Sequence, residues 1–132
     1  MYHSKYFLYA GTDSNEIDVL DKVLNSIDRG KQIVAVPNGF DLISFLQHVG
    51  KGESYPQLII LNLEMERLSG RATLELLKSD DIYCLIPTFM LLTEDSSNDR
   101  RFCISLGTDI IVKPTTRAGW VSAVKQLCAS CE

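Results

Sequence analysis

The sequence predicts a doubly wound α/β domain, a parallel five-stranded sheet with helices on both faces. Five short runs of β-branched, aliphatic and aromatic residues alternate with five longer stretches of helical periodicity. The joints between them are short and rich in Gly, Pro, Asn, Asp and Ser. The middle run, Leu58-Ile59-Ile60-Leu61, is apolar throughout, as a strand buried on both faces must be, and it runs straight into a polar Asn62. Alternating β and α elements with short connections fold as one parallel sheet with right-handed crossovers. No repeat, low-complexity tract or linker interrupts the 132 residues, so the expected organisation is one domain over 1–132, long enough for its own core.

Each element has its own signal. Tyr6-Phe7-Leu8-Tyr9-Ala10 is a compact apolar, aromatic run and the first strand. Gly11-Thr12-Asp13-Ser14 follows as a loop, with Asp13 or Ser14 able to cap the next helix and Glu16 as a first-turn acid. Ile17, Leu20, Leu24 and Ile27 recur at helical spacing until Arg29-Gly30. Gln32-Ile33-Val34-Ala35-Val36 is the second strand, stopped by Pro37. Asn38-Gly39 opens a helix whose inward stripe is Leu42, Ile43, Leu46 and Val49, and 50–54 is a polar loop. The third strand leads through Arg67-Leu68-Ser69-Gly70 into a helix with Ala72, Leu74, Leu76 and Leu77 inward, ending at Ser79-Asp80-Asp81. Residues 87–92 form the fourth strand, ending at Thr93. The polar run 94–98 starts a helix that carries Phe102, Ile104 and Leu106 to Gly107. Asp109-Ile110-Ile111-Val112 is the fifth strand, broken by Lys113-Pro114. The last helix begins near Thr116, with Trp120, Val121, Val124 and Leu127 inward.

Composition narrows the function classes. A net charge of −4 and scattered basic residues, with Arg100-Arg101 the one adjacent pair, argue against a nucleic-acid interface. No apolar stretch approaches the length of a membrane span, and residues 1–5 lack the layout of a signal peptide. The expected location is therefore the cytoplasm, where Cys84, Cys103, Cys128 and Cys131 read as reduced thiols. Cys128 and Cys131 form a C-x-x-C with no second ligand pair, so they read as the end of an amphipathic helix rather than a metal or redox centre. His3 and His48 lie far from any candidate nucleophile, and the chain is not expected to be an enzyme.

Three features carry a family resemblance: the fivefold β/α alternation, Asn62 at the end of the third strand with Gly70 eight residues on, and Lys113-Pro114 after the fifth strand. Together they resemble the receiver domain of two-component response regulators, the CheY-like domains, over nearly the whole chain. Asn38-Gly39 and the segment 80–87 resemble most the stand-alone receivers of the phytochrome-response type. The resemblance implies a flavodoxin-like three-layer fold with strand order 2-1-3-4-5. It also implies phosphorelay chemistry, in which an aspartate ending the third strand takes a phosphoryl group from a histidine kinase. Two acids after the first strand hold Mg²⁺, a hydroxyl after the fourth strand binds a phosphoryl oxygen, and a lysine after the fifth pairs with it. A carboxylate attacking an anionic group needs that concentration of positive charge.

Carried over residue by residue, the pattern is degenerate. The phosphoacceptor position is Asn62, whose amide cannot form an acyl phosphate. The acidic pair falls on Gly11 and Thr12, neither a carboxylate ligand for a hard cation, whereas Asp13 enters the ligand position only with a one-residue slip. The hydroxyl position falls on Leu92, with Thr93 immediately after, and the family's switching aromatic falls on Ile110. Glu66 replaces a family proline, and Glu64 stands near where the family offers a metal a backbone carbonyl. Lys113 is kept, followed by Pro114, before which the family's peptide is cis; a cis bond is expected here because X-Pro bonds tolerate it.

The expectation is a pseudo-receiver with no cofactor and doubtful Mg²⁺ binding, which keeps the fold and signals by phosphorylation-independent protein–protein interaction. Its partner would be a signalling protein, a histidine kinase or a downstream effector. The face of the fourth helix, fifth strand and fifth helix, near Thr108, Ile110, Arg117 and Trp120, would carry that contact or a homodimer. Trp120 reads equally as interface or core. The alternatives are an unconventional phosphorylation or metal response through Asp13 or Glu64, and a flavodoxin-like FMN binder. Asp13 in the first loop opposes the latter by repelling phosphate.

Overall fold

A computed structural model describes residues 6–49 and 55–131. The segments 1–5 and 50–54, and with them the expected polar loop and His3, lie outside the described residues. The chain order is β1 (Tyr6–Ala10), α1 (Ser14–Ile27), β2 (Gln32–Val36), α2 (Gly39–Val49), β3 (Leu58–Asn62), α3 (Gly70–Ser79), β4 (Thr88–Leu92), α4 (Ser97–Ser105), β5 (Asp109–Val112) and α5 (Arg117–Ala129). All strand pairs are parallel, in the order β2-β1-β3-β4-β5. This is the expected doubly wound, flavodoxin-like sheet.

Alternation along the strands splits the core into two. Leu8, Ile59, Leu61, Met90 and Leu92 face Leu42 and Leu46 of α2, Leu74 and Leu77 of α3, and Cys103 of α4. Phe7, Tyr9, Leu58, Ile60, Phe89 and Leu91 face Leu20 and Leu24 of α1 and Val124 and Leu127 of α5. The central strands β1, β3 and β4 are buried from end to end, whereas β2 and β5, at the sheet edges, are only partly covered.

Several boundaries and inward stripes differ from expectation. Helix α1 ends at Ile27, because Asp28 turns extended and its N–H returns to the Leu24 carbonyl. β4 begins at Thr88, since Pro87 has no N–H to donate and offers only its carbonyl to Ile59. In α3 the inward residue is Thr73 rather than Leu76, which is exposed. Gly39 explains it: a Cβ there would lie 1.8 Å from Thr73 Oγ1, so α2 and α3 approach at that point and take Thr73 inside. In α4 Cys103 points inward and Ile104 outward. A one-turn 3-10 helix, Tyr83–Leu85, precedes β4 and has no periodic signal.

Candidate functional site

The carboxyl ends of β1, β2, β3 and β5 open onto a cleft of about 450 Å³ lined by Gly11, Thr12, Asp13, Asn62, Glu64, Glu66 and Lys113, among others. A second hollow of about 370 Å³ adjoins it, lined by Asn62, Glu64, Thr93 and Lys113 with parts of the β4–α4 loop. The sheet therefore gathers almost every candidate residue at one edge, where ligands bind in open α/β folds.

Leu92 is the exception. Strand alternation sends it into the core beneath α2, α3 and α4, wholly buried, while Thr93 lines the hollow. The residue after β4 that reaches the hollow is thus Thr93, and Leu92 lines neither the cleft nor the hollow. The Lys113–Pro114 peptide is trans, against the expected cis bond, with the Lys113 N–H held by the Leu92 carbonyl at 2.8 Å. Trans is the intrinsically favoured isomer of an X-Pro bond.

At the centre of the site is a closed polar network. Lys113 Nζ lies 3.0 Å from Glu16 Oε2. The Tyr9 hydroxyl donates to Glu16 Oε1 at 2.5 Å. Asn62 Nδ2 donates to the Tyr9 oxygen and to the Ala10 carbonyl, each at 2.9 Å. Glu16 and Asn62 are buried, and the side chain of Lys113 is 24% exposed. Burial, followed by the bond to the Glu16 carboxylate, pushes the Tyr9 hydroxyl far above the ordinary tyrosine range. It stays protonated and acts as a fixed donor. A buried carboxylate is tolerated only when paired and hydrogen-bonded, and Glu16 has both partners.

Sequence reasoning treated Glu16 as a first-turn acid and Tyr9 as strand filling, and so missed both. One signal was present: Glu16 lies in phase with Leu20, Val23 and Leu24, the buried stripe of α1. An acid at a core-facing helical position demands a cationic or hydrogen-bonding partner.

Asp13 lines the cleft and also has a structural task. It is the N-cap of α1, its Oδ1 accepting from the Glu16 N–H at 3.1 Å. Gly11 has φ +155°, and a Cβ there would stand 2.3 Å from Asn62 Nδ2 and 2.9 Å from the Tyr9 oxygen. Position 11 is therefore glycine for want of space as well as for its backbone. Of the acids near the site, Glu16 is committed to Tyr9 and Lys113, and Asp13 Oδ1 to its cap. Among the described residues no group of three or more His, Cys, Asp or Glu side chains could hold a metal ion.

On the α4–β5–α5 face, Arg117 is exposed, and Ile110 and Trp120 are half-buried against the two cores. Trp120 is thus partly core and partly surface. Thr108, expected near that face, is buried, with a hydroxyl that finds no hydrogen-bond partner among the described residues.

Comparison with known structures gives a match to the phosphorylated cyanobacterial phytochrome response regulator RcpA, with a TM-score of 0.83 at 23% identity over 95% of this chain and 91% of that one. The fold is that of a response-regulator receiver domain. Among curated proteins, the receiver-fold chain is 37% identical over 87 residues to the two-component response regulator-like protein APRR5 of Arabidopsis thaliana, covering 65% of this chain. It is 25% identical over 97 residues to Protein PilG of Pseudomonas aeruginosa, covering 73% of this chain. The receiver-fold chain spans 15% of the length of the first relative and 68% of the second. No protein-family model matches it.

Proposed function

We propose that the chain is a two-component signalling module of the pseudo-receiver kind, a binding protein rather than an enzyme, which works without phosphorylation. The observation that carries this reading is the Glu16–Lys113 ion pair, closed by Tyr9 and Asn62. In phosphoryl transfer to a carboxylate, the lysine must be available to the incoming anion, and a cation must offset the acids around it. Here a carboxylate supplied by α1 already occupies the lysine, and the acceptor position holds an amide. The network has no charge left to recruit a phosphoryl group, and the site rests in one state.

Its partner is then a histidine kinase or a downstream effector, met through the α4–β5–α5 face around Ile110, Arg117 and Trp120, where a homodimer would also form. Among the described residues no helix is long and apolar enough to cross a membrane. The test is incubation with acetyl phosphate and Mg²⁺, read by intact mass and Trp120 fluorescence. An unchanged mass and spectrum support the reading; a stable phosphoryl adduct on a carboxylate defeats it. Asp13 and Glu64 line the same cleft as Asn62 and Lys113, which favours them as the sites of that adduct in the second reading.

A further inference from the structure

At the opposite end of the sheet, three large aliphatic side chains are exposed within one short segment: Leu76 (49%), Ile82 (38%) and Leu85 (79%). The core does not need them. Leu74 and Leu77 of α3 and Ile86 fill it, and Tyr83 turns to an edge-on contact with Tyr55 at 6.1 Å. Isolated exposed aliphatics are ordinary, but a contiguous group is not. The Leu85 N–H bonds the Ile82 carbonyl at 3.1 Å, and side chains three apart in a 3-10 turn eclipse, so Ile82 and Leu85 stand side by side. Leu76 lies in the last turn of α3, against which that 3-10 turn packs.

We propose that Leu76, Ile82 and Leu85 form a docking surface for a basic amphipathic helix of another protein. The surface is already ordered: Asp80 Oδ1 accepts from the Ile82 and Tyr83 N–H groups at 2.8 and 2.9 Å, and the Asp80 carbonyl accepts from Cys84 at 3.1 Å. Little conformational freedom remains to be lost on binding. Charge selects the occupant. Within the described segment 75–85, Glu75, Asp80 and Asp81 stand against one base, Lys78, and Glu75 and Asp81 are exposed. A helix with aliphatic anchors at i and i+3 or i+4, flanked by Lys or Arg, matches both the apolar centre and the acidic rim. A two-fold contact with a second copy would bring two net-acidic rims together. The patch precedes β4, so it is remote from the cleft at the carboxyl ends of the strands and does not depend on how that cleft is read.

The test is fluorescence anisotropy with a labelled leucine–lysine amphipathic helix and a leucine–glutamate helix of the same pattern, titrated with the full chain. The leucine–lysine helix is expected to bind, to weaken with salt, and to lose about tenfold in affinity with Leu85→Ser plus Ile82→Ser. Ile104→Ser, on α4, leaves binding unchanged. Thermal melts verify that the exposed substitutions leave the fold intact. Equal binding of the two helices, no binding of either, or indifference to the Leu85 and Ile82 substitutions overturns the proposal. So does a concentration-dependent self-association that Leu85→Ser abolishes, which would assign the patch to a second copy.

Discussion

Tyr9 has one hydroxyl and two obligations, as donor to Glu16 and acceptor from Asn62. Tyr9→Phe leaves a buried carboxylate oxygen and an amide hydrogen unpaired, and should cost about 1–3 kcal/mol in urea unfolding. The same substitution should flatten the alkaline limb of the stability profile. Above the ordinary tyrosine pKa of about 10, the unfolded chain releases the proton while folded Tyr9, its pKa raised, keeps it, so stability falls as pH rises. Lys113→Met removes the partner of a buried acid and should destabilise by about 3 kcal/mol. Adding Glu16→Gln to that variant should recover part of the loss, since the cost lies in the stranded charge. The amide at 62 and the lysine at 113 were legible because strand ends announce themselves by polarity. Tyr9 and Glu16 were not, because a hydroxyl in a strand and an acid in a first helical turn each have a commoner explanation nearby.

At the scale of elements, the strands were readable almost to the residue, since five-residue apolar runs bounded by Gly, Pro and Asn leave little freedom of assignment. Helix starts were readable too: Asp13, Ser69, Ser96 and Thr116 each accept from the N–H three residues on. Ser69→Ala should therefore cost about 1 kcal/mol, measurable as a shift in the urea midpoint. Inward stripes were less readable, because Leu74, Leu76 and Leu77 cannot all share one face of α3. What decides the phase is Gly39, two elements away. Gly39→Ala drives a methyl into Thr73 and the Leu68 carbonyl, and should destabilise by about 1–3 kcal/mol. Thr73→Ala should relieve only the side-chain part of that clash.

At the scale of the whole molecule, the sheet order follows from short right-handed crossovers and a fully apolar β3, both present in the sequence. The charge state of the site does not, because it depends on α1 lying where Glu16 can meet Lys113 across the sheet edge. That ion pair already neutralises the buried Glu16 carboxylate. Added Mg²⁺ should not raise the melting temperature, since a ligand stabilises only what it binds, and differential scanning fluorimetry with and without the ion measures this directly.

The missing Cβ at position 11 bears on the routes open to this protein under selection. An acid at Gly11 is blocked while the Asn62 amide stands 2.3 Å from where its Cβ would go. An acid at Asn62 would face the Ala10 carbonyl as a second acceptor, losing the bond now made at 2.9 Å. Both acids together, with no cation between them, repel each other. Each of these single steps therefore costs the fold space or a hydrogen bond that it now has. A library that changes one residue at a time should recover no phosphoryl acceptance, read as an unchanged intact mass after incubation with acetyl phosphate and Mg²⁺.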